Sequence, residues 1–259
     1  RFEQLNYAVD VLTALPNTAV YLDATHSGWQ NVSESAFRLL KVDVEQTDGF
    51  YLNASNYQYT SNQVYYGTWV SACITAATSS PSWTGDPVGP LGSGFPDCPN
   101  QYWNGGPATG WVGGTALSPY KVWSTSWNGT AADDQTVLGI NSRYATMAPG
   151  TTHFVIDTGR NGQGPWDYSS KYSTAAIAQD WCNPPGRGVG IPPTTNTGNA
   201  LVDAYLWIKV PGESDGSCNR SVVGSTTDPE WGGIVDPAAG AWFPQQALQL
   251  AQLANPALH

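Results

Sequence analysis

Four short apolar runs, each closing on a polar residue and a loop, constrain this chain more than any other feature. They are TAVYLDA (18–24), GFYLNASNY (49–57), THFVIDTGRNGQG (152–164) and DAYLWIKVPGESDG (203–216). Near-continuous apolar runs of this length suit strands buried on both faces, the setting of a parallel sheet. Helical periodicity fills the intervals. Phe2, Leu5, Val9, Leu12 and Leu15 recur at helical spacing in residues 1–16, and further helices are expected over 34–44, 61–78 and 241–254. The order strand, polar loop, helix predicts an α/β class. In a β/α barrel the residues just after the strands, here Asp23, Asn53, Asp157 and Lys209, share the rim that carries the active site. Residues 79–150 break the pattern. They are dense in Gly, Pro, Ser, Trp and Asn and read as a long irregular excursion with an ordered, functional role. No linker divides the chain, so residues 1–259 are expected to form one domain.

Charge is scarce. Only 12% of the 259 residues are charged, against about 25% in ordinary domains. The polar surface must therefore be built from Ser, Thr, Asn, Gln and Gly. A net charge of −10 excludes a nucleic-acid partner, because phosphate binding needs clustered Lys and Arg. No stretch is long and apolar enough to span a membrane, so no membrane partner is expected. Twelve tryptophans in such a polar, uncharged setting suit sugars, whose apolar C–H faces stack on indole. Four cysteines, Cys73, Cys98, Cys182 and Cys218, suit an oxidising compartment and a secreted protein. They allow three pairings; a Cys73–Cys98 bridge would pin the base of the excursion. None has CxxC spacing and the chain holds three histidines, so no metal site and no cofactor are expected.

The candidate chemistry lies in the loops. Asp23 opens DATHSGW, where Asp23 and His26 suit sugar hydroxyls and Trp29 suits stacking. DTGRNGQG lacks the spacing of a nucleotide-binding loop, and its Arg160 is better placed to pair a carboxylate. Trp181 precedes Cys182, and a disulfide there would hold it rigid as a stacking platform. GxSxG is absent, so an esterase triad has no nucleophile elbow. Carboxylates remain. Glycoside hydrolysis needs one acid to protonate the leaving oxygen and a second carboxylate opposite. Glu213 and Asp215 alternate along an extended backbone and point apart, so they do not form that pair. Lys209 is close enough in sequence to hold one of them, or a sugar hydroxyl.

The blocks VYLDATHSGW, NASNY, VIDTGRNGQG, DWCNPPGRGVG, TTNTG, DAYLWIKVPGESDG and GAWFPQQALQLA, in this order, resemble glycoside hydrolase family 6. The resemblance covers nearly the whole chain, least well over 79–150. It implies a secreted cellulase that cleaves β-1,4-glucan with inversion on a distorted seven-stranded β/α (TIM-like) barrel. Cellulose and cello-oligosaccharides would be its partners. Residue by residue it implies sugar contacts for His26, Trp29 and Asn56, and a platform at Trp181. It implies a sugar held near the cleavage point by Lys209 and Glu213, a candidate base at Asp215 and an arginine beside it at Arg160. It also implies a Cys182–Cys218 disulfide, which leaves Cys73 for Cys98. The family's proton donor lies in an EPD block, and a second aspartate in a GRDC block; neither block occurs in residues 1–259. On this reading the chain is the C-terminal half of the barrel, with about four strands. Its further partner would be the N-terminal part of the same domain, and cello-oligosaccharide binding without catalysis is the alternative.

Overall fold

A computed structural model describes residues 1–79, 98–102, 116–126 and 136–258. It is a mixed α/β structure with one four-stranded sheet. The strands are β1 (Tyr21–Asp23), β2 (Gly49–Leu52), β3 (Phe154–Asp157) and β4 (Val202–Leu206), in the order β1-β2-β3-β4. β1, β2 and β3 are parallel, with Leu22 opposite Phe50 and Phe50 opposite Phe154. Each of the four apolar runs thus coincides with an expected strand, β4 beginning one residue before its run. The helices are α1 (Phe2–Thr13), α2 (Val32–Leu40), α3 (Thr60–Ser79), α4 (Val137–Tyr144), α5 (Ala175–Ala178) and α6 (Pro244–Gln252). No described helix is long and apolar enough to cross a membrane.

The chain divides into two compact units. The first comprises Arg1–Ala54, Ser61–Ile156 and Thr195–Ala204; the second comprises Ser55–Thr60, Asp157–Thr194 and Tyr205–His259. The first unit is organised on α3, which is buried on most of its circumference. Its buried polar side chains all find partners, as burial demands. Gln63 donates to Ser27 Oγ at 2.7 Å, Ser71 to the Thr152 carbonyl at 2.7 Å and Trp69 to Asn141 Oδ1 at 2.7 Å. The Trp69 ring stacks on Trp123, with centroids 5.5 Å apart. Gly67 lets α3 approach β3 closely: a Cβ there would lie 2.4 Å from the Phe154 ring. Phe154 in turn stacks on Phe50, with centroids 5.1 Å apart and both side chains fully buried.

Three sequence expectations are corrected. The second helix starts at Val32 rather than 34, because Asn31 caps it by accepting a hydrogen bond from the Glu34 amide at 2.8 Å. It ends at Leu40, before Asp43 takes a left-handed conformation and opens a short 3₁₀ turn, Val44–Gln46. The excursion is not irregular throughout. α4 forms inside it, capped by Thr136, with Val137 and Ile140 buried; the stretches 80–97, 103–115 and 127–135 lie outside the described residues. The third lies in the last helix, which runs Pro244–Gln252 rather than 241–254, with Pro244 in its first turn. In α1 the apolar spacing yields the expected helix; only Val9 is buried, while Phe2, Leu5 and Leu12 stay exposed. Both disulfides form as expected, Cys73–Cys98 in the first unit and Cys182–Cys218 in the second.

Substituting Gly67→Ala forces the Phe154 ring out of its stack on Phe50. The expected cost is about 1–3 kcal/mol, the usual range for overpacking a core, measured as a lower urea midpoint at unchanged m-value.

Candidate functional site

The second unit gathers most of the candidate residues, and Asp157 at the end of β3 sets their frame. Its side chain is buried and accepts three backbone N–H bonds. Oδ1 takes Gly159 at 2.8 Å; Oδ2 takes Ser55 at 3.1 Å and Lys209 at 3.0 Å. One carboxylate thus ties together the loops that carry Arg160, Asn56 and Lys209. Burial raises the Asp157 pKa, and the three N–H bonds and Arg160 work against that rise. Gly159 has no room for a side chain, since a Cβ would sit 2.7 Å from the Lys209 carbonyl oxygen.

Asp215 lies at the centre of this frame, with its side chain 9% exposed. Three donors converge on one oxygen, Oδ2: Arg160 Nη1 at 2.9 Å, the Tyr57 hydroxyl at 2.9 Å and the Asn183 amide at 3.0 Å. Oδ1 accepts no hydrogen bond among the described residues. Arg160 is buried and also donates to the Ser55 carbonyl at 2.6 Å. Its guanidinium lies 4.4 Å from the centroid of the Tyr57 ring, a cation–π contact. Burial pushes the Tyr57 phenol well above its ordinary range, so it is a donor to Asp215 and stays protonated. The expected Arg160–carboxylate pair is therefore present, and its partner is Asp215.

Lys209 and Glu213 sit beside this centre as a pair 3.6 Å apart, with Glu213 the more exposed. The chain turns at Gly212, whose φ of +98° favours glycine, so Glu213 and Asp215 engage different partners. Trp181 is 57% exposed next to the buried Cys182 of the disulfide. Asn56 is half-buried, and its Oδ1 accepts from the Tyr57 amide at 2.9 Å, which turns its NH₂ end outward from that bond.

The remaining candidates, Asp23, His26 and Trp29, belong to the first unit. Asp23 Oδ1 accepts from the Thr25 amide at 2.7 Å. His26 Nδ1 accepts from the Gly28 amide at 3.2 Å, which places the ring proton on Nε2 as a donor. Burial lowers the His26 pKa to about 4, so the ring is neutral at ordinary pH. Trp29 is 64% exposed, 6.1 Å from the His26 ring centroid.

Sequence reasoning missed Tyr57 and Asn183. Each adjoins a recognised residue, Asn56 and Cys182, but nothing in one dimension shows that both reach Asp215. It also missed Arg220, fully buried and bonded to Asp228 through Nε at 3.0 Å and Nη2 at 2.5 Å. Arg220 donates besides to the carbonyls of Ala178, Gln179, Cys182 and Asn183. The loop before Trp181 is thereby fixed from within. Cys218, Asp228 and Asp236 lie close enough together to suggest a metal cluster, but Cys218 is consumed by its disulfide and Asp228 by Arg220.

A family model described as glycosyl hydrolases family 6 matches residues 1–254. A probable 1,4-beta-D-glucan cellobiohydrolase C of Aspergillus terreus is 32% identical over 98% of this chain and 43% of its own length. Endoglucanase A of Cellulomonas fimi is 28% identical over 97% of this chain and 33% of its own length. The chain thus spans less than half the length of these relatives. The endoglucanase Cel6 of Mycobacterium tuberculosis, solved with a methyl-cellobiosyl-4-deoxy-4-thio-beta-D-cellobioside, superposes with a TM-score of 0.54. It is 30% identical and covers 97% of this chain and 53% of its own.

Two outcomes follow from the charges. Arg160→Met leaves Asp215 buried without its cation and is expected to cost about 3–5 kcal/mol, read from denaturant melts. NMR titration of His26 should give a midpoint near 4. Because the folded value is depressed below the unfolded one, this residue's contribution to stability is present above about pH 6.5 and is lost as pH falls through 4.

Proposed function

Because the chain belongs to glycosyl hydrolases family 6, we propose that it serves in the hydrolysis of β-1,4-glucosidic bonds of cellulose with inversion, as part of a secreted enzyme. The observation that carries the reading is the asymmetry of Asp215: Oδ2 is held by three donors while Oδ1 accepts none among the described residues. A carboxylate pinned by one oxygen can present the other to a water molecule in a fixed direction, which is what the base of an inverting glycosidase must do. Arg160 and Tyr57 hold the base. Lys209 and Glu213 bind the sugar near the scissile bond. Trp181 and Trp29 stack on glucose rings, and Asn56, Asp23 and the neutral His26 hydrogen-bond hydroxyls.

Inversion also needs a proton donor opposite the base. This reading assigns that role to no residue of 1–259 and takes the chain as the C-terminal half of a distorted seven-stranded barrel. A second reading is a cello-oligosaccharide binder without catalysis; the exposed Trp29 and Trp181 favour it equally.

Titration with cellohexaose followed by tryptophan fluorescence separates these. Saturable binding is expected, weakened roughly two- to tenfold in Trp181→Ala, since a stacking contact is worth about 0.5–1.5 kcal/mol. No fluorescence change would overturn both readings. Reducing-sugar assays on carboxymethylcellulose should show little turnover by this chain alone. Strong turnover abolished by Asp215→Ala would confirm the base and overturn the absence of a donor; strong turnover surviving that substitution would overturn the role of Asp215.

A further inference from the structure

Asn183 carries more hydrogen bonds than any packing role requires. It is fully buried, and its φ of 40° places it in the left-handed region. Its backbone amide donates to Asp215 Oδ2 at 3.0 Å, and its Oδ1 accepts from the Asp215 backbone amide at 2.7 Å. These reciprocal bonds fix both the main chain and the side chain of Asp215. Its carbonyl accepts from Trp231 Nε1 at 2.8 Å and Arg220 Nη2 at 3.0 Å, so the Asn183 backbone is itself held.

The clamp works only if the amide sits one way round. With Oδ1 toward the Asp215 amide, Gln246 Nε2 adds a second donor at 3.3 Å. The NH₂ end then faces acceptors: Asp236 Oδ2 at 2.9 Å, the Gly216 carbonyl at 2.9 Å and Ser214 Oγ at 3.1 Å. A flipped amide would set its oxygen against the Asp236 carboxyl and the Gly216 carbonyl, and its NH₂ against two donors. Asp236 is buried and is the one side-chain carboxyl on that end. Burial, then the nearby Asp228, raises its pKa to about 6 against the opposing pull of Asn183 and Arg220. A buried acid is costly to keep; Asp236 Oδ2 accepts from the Asn183 amide, and the side chain also meets that of Asp228.

We propose that Asn183 is a positioning residue that decides which oxygen of Asp215 is presented, and that Asp236 acts through it by fixing the orientation of the Asn183 amide. The chain of contacts runs from Asp236 to Asn183 to Asp215, and neither Asn183 nor Asp236 needs to touch substrate. The inference rests on the reading of Asp215 as the working carboxylate, but its test does not need turnover.

The test is carboxyl ¹³C NMR of this chain labelled in aspartate, with the Asp215 signal assigned by its loss in Asp215→Asn. Three variants are compared. Asp236→Asn removes the charge and keeps a carbonyl acceptor for the Asn183 amide. Asp236→Leu removes both. Asn183→Gly removes the side chain and keeps the backbone donor, and glycine tolerates the positive φ. The Asp215 titration midpoint is expected to move by roughly half a pH unit or more in Asp236→Leu and Asn183→Gly, relative to Asp236→Asn. Equal midpoints in Asp236→Asn and Asp236→Leu would overturn the role of Asp236, since only its charge would matter. An unmoved midpoint in Asn183→Gly would overturn the clamp. If Asp236→Leu fails to fold, Asn183→Gly against wild type decides the clamp and Asp236→Ala, which also removes both charge and acceptor in a smaller side chain, replaces Asp236→Leu in the ranking. Adding cellotetraose to the wild type is the separate arm: an Asp215 signal that does not respond counts against the working-carboxylate reading and leaves the positioning result standing.

Discussion

Burying charge in a protein poor in charge is the constraint on which the second unit depends. Arg160 and Arg220 are each 1% exposed, and Asp157, Asp228 and Asp236 are buried with them. Each ion removed from water costs several kcal/mol unless its hydrogen-bonding capacity is met locally. Loops with little regular secondary structure must therefore arrange their carbonyls and amides around these groups. Arg220 gathers four carbonyls and one carboxylate; Asp157 gathers three amides. The loops are fixed by the charges they enclose.

That economy explains how a site can be built on loops and still be rigid. Glycines at 159 and 212 let backbone and side chains approach where a Cβ would collide. The Cys182–Cys218 bridge closes the same region covalently, and Trp181 stands exposed beside it. Asp215 inherits its geometry from Arg160, Tyr57 and Asn183, which come from three separate stretches of chain. The result is a carboxylate with one oxygen committed to three donors.

The first unit follows a different logic. There the organising element is an apolar sheet packed against α3, whose few buried polar groups are satisfied singly. This part was legible from periodicity, because strand and helix patterns are local. Three strands fell within their apolar runs and β4 began one residue before its run, while α3 lay within a residue of its expected bounds. What periodicity missed was set by caps: Asn31 moved the start of α2, and Thr136 opened α4 inside a Gly- and Pro-rich excursion. The exposure of Phe2, Leu5 and Leu12 on α1 could not be read from spacing, which gives a helix its apolar stripe but not its neighbours.

The sequence by itself determined the α/β class and the family, because these rest on short blocks whose order along the chain is their information. Arg160 was recognisable there as a partner for a carboxylate. Only the tertiary structure decided which oxygen of Asp215 is held, that Tyr57 and Asn183 hold it, and that Asp236 stands behind Asn183. Those bonds join residues 158, 32 and 53 positions apart. A hydrogen bond is directional and spans about 3 Å, so its partners are chosen by the folded path of the chain and leave no local pattern to read.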